Sequence, residues 1–262
     1  WQAMAPMPQA RYAPTAQAVD GRIYVFGGEV QEEGVTTLTS VVLEYDPEQD
    51  TWRNCDGVCA PLPTARYLAS SAVIDGIVYV LGGAAPYPEP DLDVIEAFDP
   101  LLNTWVDCGN SACATLPEGL QAPAVAALGD SLLMAGGGVA GFAFLADAYR
   151  FDPQANTWTT LTGLITGRSS LQAVGTVGNG RFLVSGGRVD GGAVTGSFSE
   201  RVDAYDPDLD FWTRLEDLSL PRSDHAAVWL DGALLVIGGY FPDENNDGVG
   251  EVRALVEARV FD

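Results

Sequence analysis

The chain has no lysine, one histidine and four cysteines, and each scarcity narrows what it can do. With 13 arginines against 36 acidic residues the formal net charge is −23, which repels phosphate backbones and anionic lipid, so neither nucleic acid nor a membrane surface is expected as a partner. The lone His225 rules out a Ser-His-Asp arrangement alongside any separate histidine function, and it rules out a histidine-rich zinc site. Within Arg222-Ser223-Asp224-His225 it reads as a structural residue. Apolar runs are strand-length, well short of the ~20 residues a membrane helix needs, so no membrane insertion is expected. There is no Asn-x-Ser/Thr sequon and no basic-then-apolar leader, and the first residue is Trp1. These features read as a mature or excised form.

What is present is a repeat. Double glycines fall at 27-28, 82-83, 136-137, 186-187 and 238-239, and tryptophans at Trp52, Trp105, Trp158 and Trp212, giving a period of 50 to 55 residues. Before each double glycine lies a short apolar run, such as Ile23-Tyr24-Val25-Phe26. Before that run comes a turn of Asp-Gly, Gly-Asp or Asn-Gly type, which supplies the positive-φ residues of a tight hairpin. After a loop of variable length a third strand closes on Tyr45-Asp46-Pro47, Phe98-Asp99-Pro100, Phe151-Asp152-Pro153, Tyr205-Asp206-Pro207 and Phe261-Asp262. Proline stops that strand and starts the turn into the Trp strand.

Paired glycines, an aromatic-Asp-Pro and a Trp about six residues after the aromatic-Asp together resemble the kelch repeat over essentially the whole chain. The resemblance implies an all-β, kelch-type β-propeller in a single domain, residues 1–262, and the five repeats imply five four-stranded blades, a departure from the six or seven usual in that family. Trp1 is in phase with the other tryptophans, while the last repeat lacks a Trp strand. Residues 1–4 are therefore expected to complete blade five and close the ring, the alternative being an excerpt from a longer ring. Hairpin alternation puts the second-to-third-strand loops and the linkers between blades, cysteine-bearing segments included, on one face. That face is the one expected to carry function.

Three constellations are candidate sites. Asp243, Asn245 and Asp247, the Val249 carbonyl and Glu251 offer oxygens around a turn tightened by Gly248, a pattern suited to a structural Ca²⁺. The alternative is a solvated acidic turn, and Ala254 stands where an EF-hand would place its last ligand. Cys55-x3-Cys59 and Cys108-x4-Cys113 occupy corresponding linkers and are expected to form two local disulfides, implying an oxidising compartment, extracellular or periplasmic. A four-cysteine zinc site is the competing arrangement. Arg11, Arg66, Arg168 and Arg222 each precede the second glycine of their repeat by 17 residues, or by 19 for Arg168, with Leu120 in the third repeat. Set around the axis they would bind a carboxylate-bearing ligand; alternatively they pair with acidic side chains inside the protein.

The function expected is a non-catalytic, extracytoplasmic bacterial binding scaffold, monomeric, for a protein or carboxylate-bearing ligand. The alternative from another class is a sugar-acid enzyme resembling the sialic-acid mutarotases, working at the same arginines.

Overall fold

The computed structural model describes residues 2–54, 59–85, 89–108, 113–139, 143–170, 172–175, 180–189, 197–242, 251–252 and 255–260. Every regular element among them is a β-strand. Four antiparallel sheets of four strands follow one another along the chain. They comprise Thr15–Val19, Arg22–Phe26, Val42–Asp46 and Thr51–Asn54; Ser70–Ile74, Ile77–Leu81, Ile95–Asp99 and Thr104–Val106; Ala124–Leu128, Ser131–Ala135, Ala148–Asp152 and Thr157–Leu161; and Gln172–Gly175, Phe182–Ser185, Val202–Asp206 and Phe211–Arg214. A fifth sheet holds Ala226–Leu230, Ala233–Ile237 and Val256–Val260. Within each sheet the strands lie side by side in chain order.

The hairpin turns form as their dipeptides dictate. Asp20 and Gly21, Asp75 and Gly76, and Asp231 and Gly232 all have positive φ, the combination that matches the twist of the flanking strands.

The double glycines have a different task, which is to let the next repeat approach. A Cβ on Gly27 would lie 2.4 Å from the Arg66 carbonyl oxygen, and one on Gly82 would lie 2.6 Å from that of Leu120. The second glycine then donates its N–H to the same carbonyl: Gly28 to Arg66 at 2.8 Å, Gly83 to Leu120 at 2.7 Å, Gly137 to Arg168 at 2.8 Å and Gly187 to Arg222 at 2.8 Å. The glycine pair is therefore the seam between successive repeats.

The Trp strand is held by stacking and by a clamp. Tyr45 with Trp52, Phe98 with Trp105, Phe151 with Trp158 and Tyr205 with Trp212 have ring centroids 4.9 to 5.2 Å apart. Two residues before the tryptophan stands Asp50, Asn103, Asn156 or Asp210, each with positive φ, a conformation Asn and Asp tolerate better than other side chains. Their Oδ1 atoms accept the N–H of Ala5, Ala60, Ala114 and Thr162 on the incoming linkers, and Trp52, Trp105 and Trp212 donate Nε1–H to the carbonyls of Ala5, Ala60 and Thr162.

The sequence reads as one domain, whereas the contacts group the residues into two compact units, 1–121 with 153–157, and 122–152 with 158–262. In stacked repeats each sheet packs mainly on its neighbours, so such a division can fall between any two. In the first unit Val19, Tyr24, Phe26 and Val42 pack against Val78, Val80 and Phe98 of the second sheet. In the second unit Ala124, Leu133 and Ala135 meet Phe182, Val184 and Tyr205, while Leu183, Val202 and Ala204 meet Leu234 and Val236.

The expected strand exchange at the termini is not seen among the described residues. Residues 2–4 form no strand and the fifth sheet has three strands; Trp1, Phe261 and Asp262 lie outside the described residues. The register also differs from the sequence reading. Leu234 pairs with Arg259, as Val78 pairs with Phe98, so Arg259 and not Phe261 occupies the aromatic position.

Candidate functional site

The four arginines stand where the chain leaves a linker for the innermost strand, and the structure gives each the same task to begin with. Nη1 of Arg66 donates to the carbonyls of Gly82 and Val94 at 2.9 and 3.2 Å, and Nη1 of Arg168 to those of Gly186 and Arg201 at 2.9 and 3.3 Å. Nη1 of Arg222 donates to the Gly238 carbonyl at 3.4 Å, and Nη1 of Arg11 to those of Gly27 and Val41 at 3.0 and 2.7 Å. Each guanidinium thus fastens the first glycine of its pair, whose left-handed turn leaves that carbonyl free of the ladder.

The other edge of the guanidinium separates them. Arg66 Nη2 pairs with Glu96 at 2.7 Å, Arg222 Nη2 with Glu257 at 2.9 Å, and Arg168 Nη2 with Asp203. The three arginines are 0 to 1% exposed, and Arg222 also lies over the Phe241 ring. The expectation that Arg66, Arg168 and Arg222 present open forks to a ligand is corrected accordingly. A carboxylate on the third strand of the same sheet already fills each fork, as buried charge demands.

Arg11 differs. Its fork has no carboxylate, and its Nε and Nη2, both buried, donate to nothing among the described residues. Pairing register gives the reason: Glu96, Asp203 and Glu257 sit opposite Val80, Val184 and Val236, whereas Leu43 sits opposite Val25. The third sheet has lost both members of the pair, with buried Leu120 for arginine and Tyr149 opposite Met134. Burial lowers the pKa of all four guanidiniums; a carboxylate opposes that push for Arg66, Arg168 and Arg222 but not for Arg11. Beside it Tyr12 is 64% exposed.

His225 is buried, with Nε2 2.9 Å from Ser185 Oγ. Burial, helped by the Arg222 charge, pushes its pKa down to about 3, so it stays neutral and structural, as its sequence context suggests.

Cys108 and Cys113 form a disulfide. Cys59 is disulfide-bonded too, and Cys55 lies outside the described residues. The location of Cys59 is a correction. Cys59 lines a cavity of about 360 Å³ with Asp20, Pro100, Leu101 and Asn103, so it sits at the hairpin-turn end and not beside the double glycines. The clamp of Asn103 and Trp105 on Ala60 draws the linker there. Arg22 and Arg53 in the same cavity are both paired with Glu44.

Asp243, Asn245, Asp247 and Val249 lie outside the described residues. Glu251 opens the strand Glu251–Val252, and Phe241 pairs with Glu251. No cluster of three or more His, Cys, Asp or Glu among the described residues could hold a metal ion.

The seams, sheets and clamps define a class, the kelch-repeat β-propeller. A family model agrees: the KLHDC2/KLHL20/DRC7 Kelch-repeats domain matches residues 1–187, and the chain belongs to that kelch-repeat family. Among curated relatives it is similar to Kelch-like protein 25 of Xenopus tropicalis, 28% identical over 244 residues, covering 90% of this chain and 38% of that protein. It is also similar to Kelch-like protein 38 of Homo sapiens, 25% identical over 241 residues, covering 91% and 37%. The chain thus spans under two fifths of the length of these relatives. The solved structure of YjhT shares the fold, with a TM-score of 0.82 and 20% identity over 99% of this chain and 84% of that one.

Two features escaped the sequence reading. Internal pairing of the arginines was an alternative in the sequence, but which carboxylate each one meets was not, because the partners lie 30 to 35 positions apart and become visible only once strand register is known. The linker clamps were hidden because an Asp or Asn two residues before Trp looks like any turn residue.

Proposed function

We propose that this chain is a non-catalytic interaction scaffold for a protein or carboxylate-bearing ligand, with Arg11 as its carboxylate-recognising residue. Kelch-repeat proteins generally act as protein-interaction scaffolds, and packed sheets carrying variable loops suit that use. The observation that carries the assignment to Arg11 is its unfilled fork, set beside three equivalent forks that hold a carboxylate 2.7 to 2.9 Å away or closer. A ligand carboxylate would supply the missing partner through charge-assisted hydrogen bonds. Titration of a panel of acidic peptides and sugar acids should find binders whose affinity falls at least tenfold in Arg11→Ala. Binding that ignores this change would remove Arg11 from the site. Turnover of a sugar acid abolished by the same substitution would favour the enzyme alternative.

The scaffold would work as a monomer in the periplasm or outside a bacterial cell, a placement supported by the Cys108–Cys113 disulfide, since such bonds persist in oxidising compartments. A structural Ca²⁺ at Asp243, Asn245, Asp247, Val249 and Glu251 belongs to the same reading. The pairing of Phe241 with Glu251 brings the two ends of that segment together, and hard oxygen donors spaced along it suit the ion. Calorimetric titration of chelator-treated protein should show one Ca²⁺ bound per chain, with little change in the global melt because the sheets hold most of the buried area. The absence of heat at millimolar Ca²⁺ would leave an acidic turn.

A further inference from the structure

The cavity at the hairpin-turn end of the first sheet has a charged wall where the matching places in other sheets are small or apolar. Glu44 stands opposite Tyr24, and Arg53 stands opposite Glu44 on the Trp strand. In the second sheet those two places hold Ala97 and Val106, and in the fourth Ala204 and Thr213. The fifth sheet has Ala258 in the place of Glu44 and the third has Arg150, so among the five sheets only the first puts a carboxylate there. Tyr24 and Val42, on either side of Glu44, pack against Val78 and Phe98 of the second sheet. Glu44 is buried on that same side, where a carboxylate is costly unless it is paired.

The pairing is present but leaves capacity unused. Glu44 Oε1 accepts from Arg22 Nη1 at 2.8 Å and from Arg53 Nη2, and Arg22 Nη1 also meets Asp46 at 2.9 Å. Glu44 Oε2 and the Nε and Nη1 of half-exposed Arg53 bond to no described residue. Tyr24 is the second sign of a ligand. It is 6% exposed and lines the cavity, yet its hydroxyl has no hydrogen-bond partner among the described residues. Burial, with the Glu44 charge beside it, raises the Tyr24 pKa, so the hydroxyl keeps a proton to donate.

The lining also says which kind of ligand fits. Its ionised side chains cancel, Asp20 and Glu44 against Arg22 and Arg53, in a chain whose net charge is −23. An anion entering here would meet two carboxylates, and a cation two guanidiniums. A neutral molecule rich in hydroxyls can donate to the first pair and accept from the second. Pro100 and Leu101, the latter 81% exposed, add hydrocarbon at the rim for the C–H face of a ring. The volume of about 360 Å³ is at the small end of ligand sites, which span about 300–1,000 Å³.

We propose that this cavity binds one unit of a neutral sugar, with Tyr24, Glu44 and Arg53 as its hydrogen-bonding residues. A sugar hydroxyl donates to Glu44 Oε2, the Tyr24 hydroxyl donates to a sugar oxygen, and the free N–H groups of Arg53 donate to a neighbouring one. The site lies at the opposite end of the first sheet from Gly27 and its clip to Arg11, so it stands or falls apart from the carboxylate reading of Arg11.

Calorimetric titration with glucose, galactose, mannose and N-acetylglucosamine tests this, with glucuronate and glucosamine as charged controls. At least one neutral sugar should saturate the protein with millimolar affinity, the strength expected of so small a ligand. Tyr24→Phe should weaken that binding at least tenfold and leave the melting temperature within about 1 °C, since it removes a hydroxyl that holds nothing in place. Arg53→Met should weaken it as well. The charged controls should show no binding that Tyr24→Phe diminishes, which sets aside any glucuronate held at Arg11. Absence of binding by all four neutral sugars, or binding indifferent to Tyr24→Phe and Arg53→Met, overturns the proposal. So does a charged control that binds as tightly and loses as much in Tyr24→Phe. A fall of many degrees in the melting temperature of Tyr24→Phe would show the hydroxyl already engaged within the protein and overturn it equally.

Discussion

The first and second sheets carry the same arginine on the same backbone and differ at one register position. Arg66 pairs with Glu96, whereas in the first sheet the register position of Glu96 is held by Leu43. In the second sheet the guanidinium is a structural clip, fastening the Gly82 carbonyl and neutralised from its own sheet. In the first, the clip to Gly27 survives but half of the fork is idle. A repeat protein thus yields a candidate site by omission: what is removed from one copy becomes available to something else. The third sheet, with Leu120 and Tyr149, shows the tidier outcome, in which losing both partners leaves no stranded charge.

Arg66→Met should separate the two sheets most strongly. It strands Glu96 in a largely buried site, and removing one partner of a buried pair costs about 3–5 kcal/mol, which urea denaturation would read as a large drop in the unfolding midpoint. Arg11→Met should cost markedly less, since it loses only the bonds from Nη1 to the Gly27 and Val41 carbonyls, removes two donors that were unsatisfied and leaves no carboxylate behind. Equal losses from the two substitutions would break the comparison and show that the carbonyl clips, not the charge pairs, dominate at both sites.

Much of the architecture was legible because each of its signals is local. An Asp-Gly turn, a glycine pair and a Trp after aromatic-Asp lie within a few residues of the backbone feature they cause, and the five repetitions confirm one another. The sites were less legible because their decisive partners are far apart in sequence. Nothing near Arg11 marks it as different from Arg66; the difference is Leu43, 32 residues on, identifiable only once Val25 is known to pair with it. The place of Cys59 was missed for a similar reason, since alternation of strands says where a linker starts and stops but not that Asn103 pulls Ala60 toward the hairpin turns before Leu62 returns to Gly27. The acidic segment 243–250 lies outside the described residues, so its ion stays a matter for titration.

A second pairing between repeats gives the smallest effect and the cleanest control. Where the third-strand aromatic is tyrosine, the clamp residue is Asp: Tyr45 and Tyr205 each donate O–H to Oδ1 of Asp50 and Asp210 at 2.6 Å, the atom that also accepts the linker N–H. Where the aromatic is phenylalanine, at Phe98 and Phe151, the clamp is Asn103 or Asn156, whose Oδ1 accepts the linker N–H and faces no tyrosine hydroxyl. A carboxylate with two donors stays ionised more readily. The Ala5 N–H, with the Tyr45 hydroxyl, lowers the Asp50 pKa, and the Tyr205 hydroxyl, with the Thr162 N–H, lowers that of Asp210. The Asp50 hydrogen bond pushes Tyr45 up to about 12. The signs follow. A depressed carboxylate pKa contributes stability that is present above the unfolded value of about 3.9 and lost as pH falls through the lower folded value. A raised tyrosine pKa contributes stability that is present below about 10 and lost as pH climbs through the folded value. The asparagine clamps contribute neither slope. Asp50→Asn with Asp210→Asn should therefore flatten the fall of the unfolding midpoint in acid, below about pH 4, relative to the unmodified protein, while their Oδ1 atoms still accept the linker N–H. Asn103→Asp should steepen it only weakly, because no tyrosine faces that position. An acid limb unchanged by the double substitution would mean that the two clamps hold their linkers equally well with or without the charge, and that the pairing of Tyr with Asp and of Phe with Asn is one of fit alone.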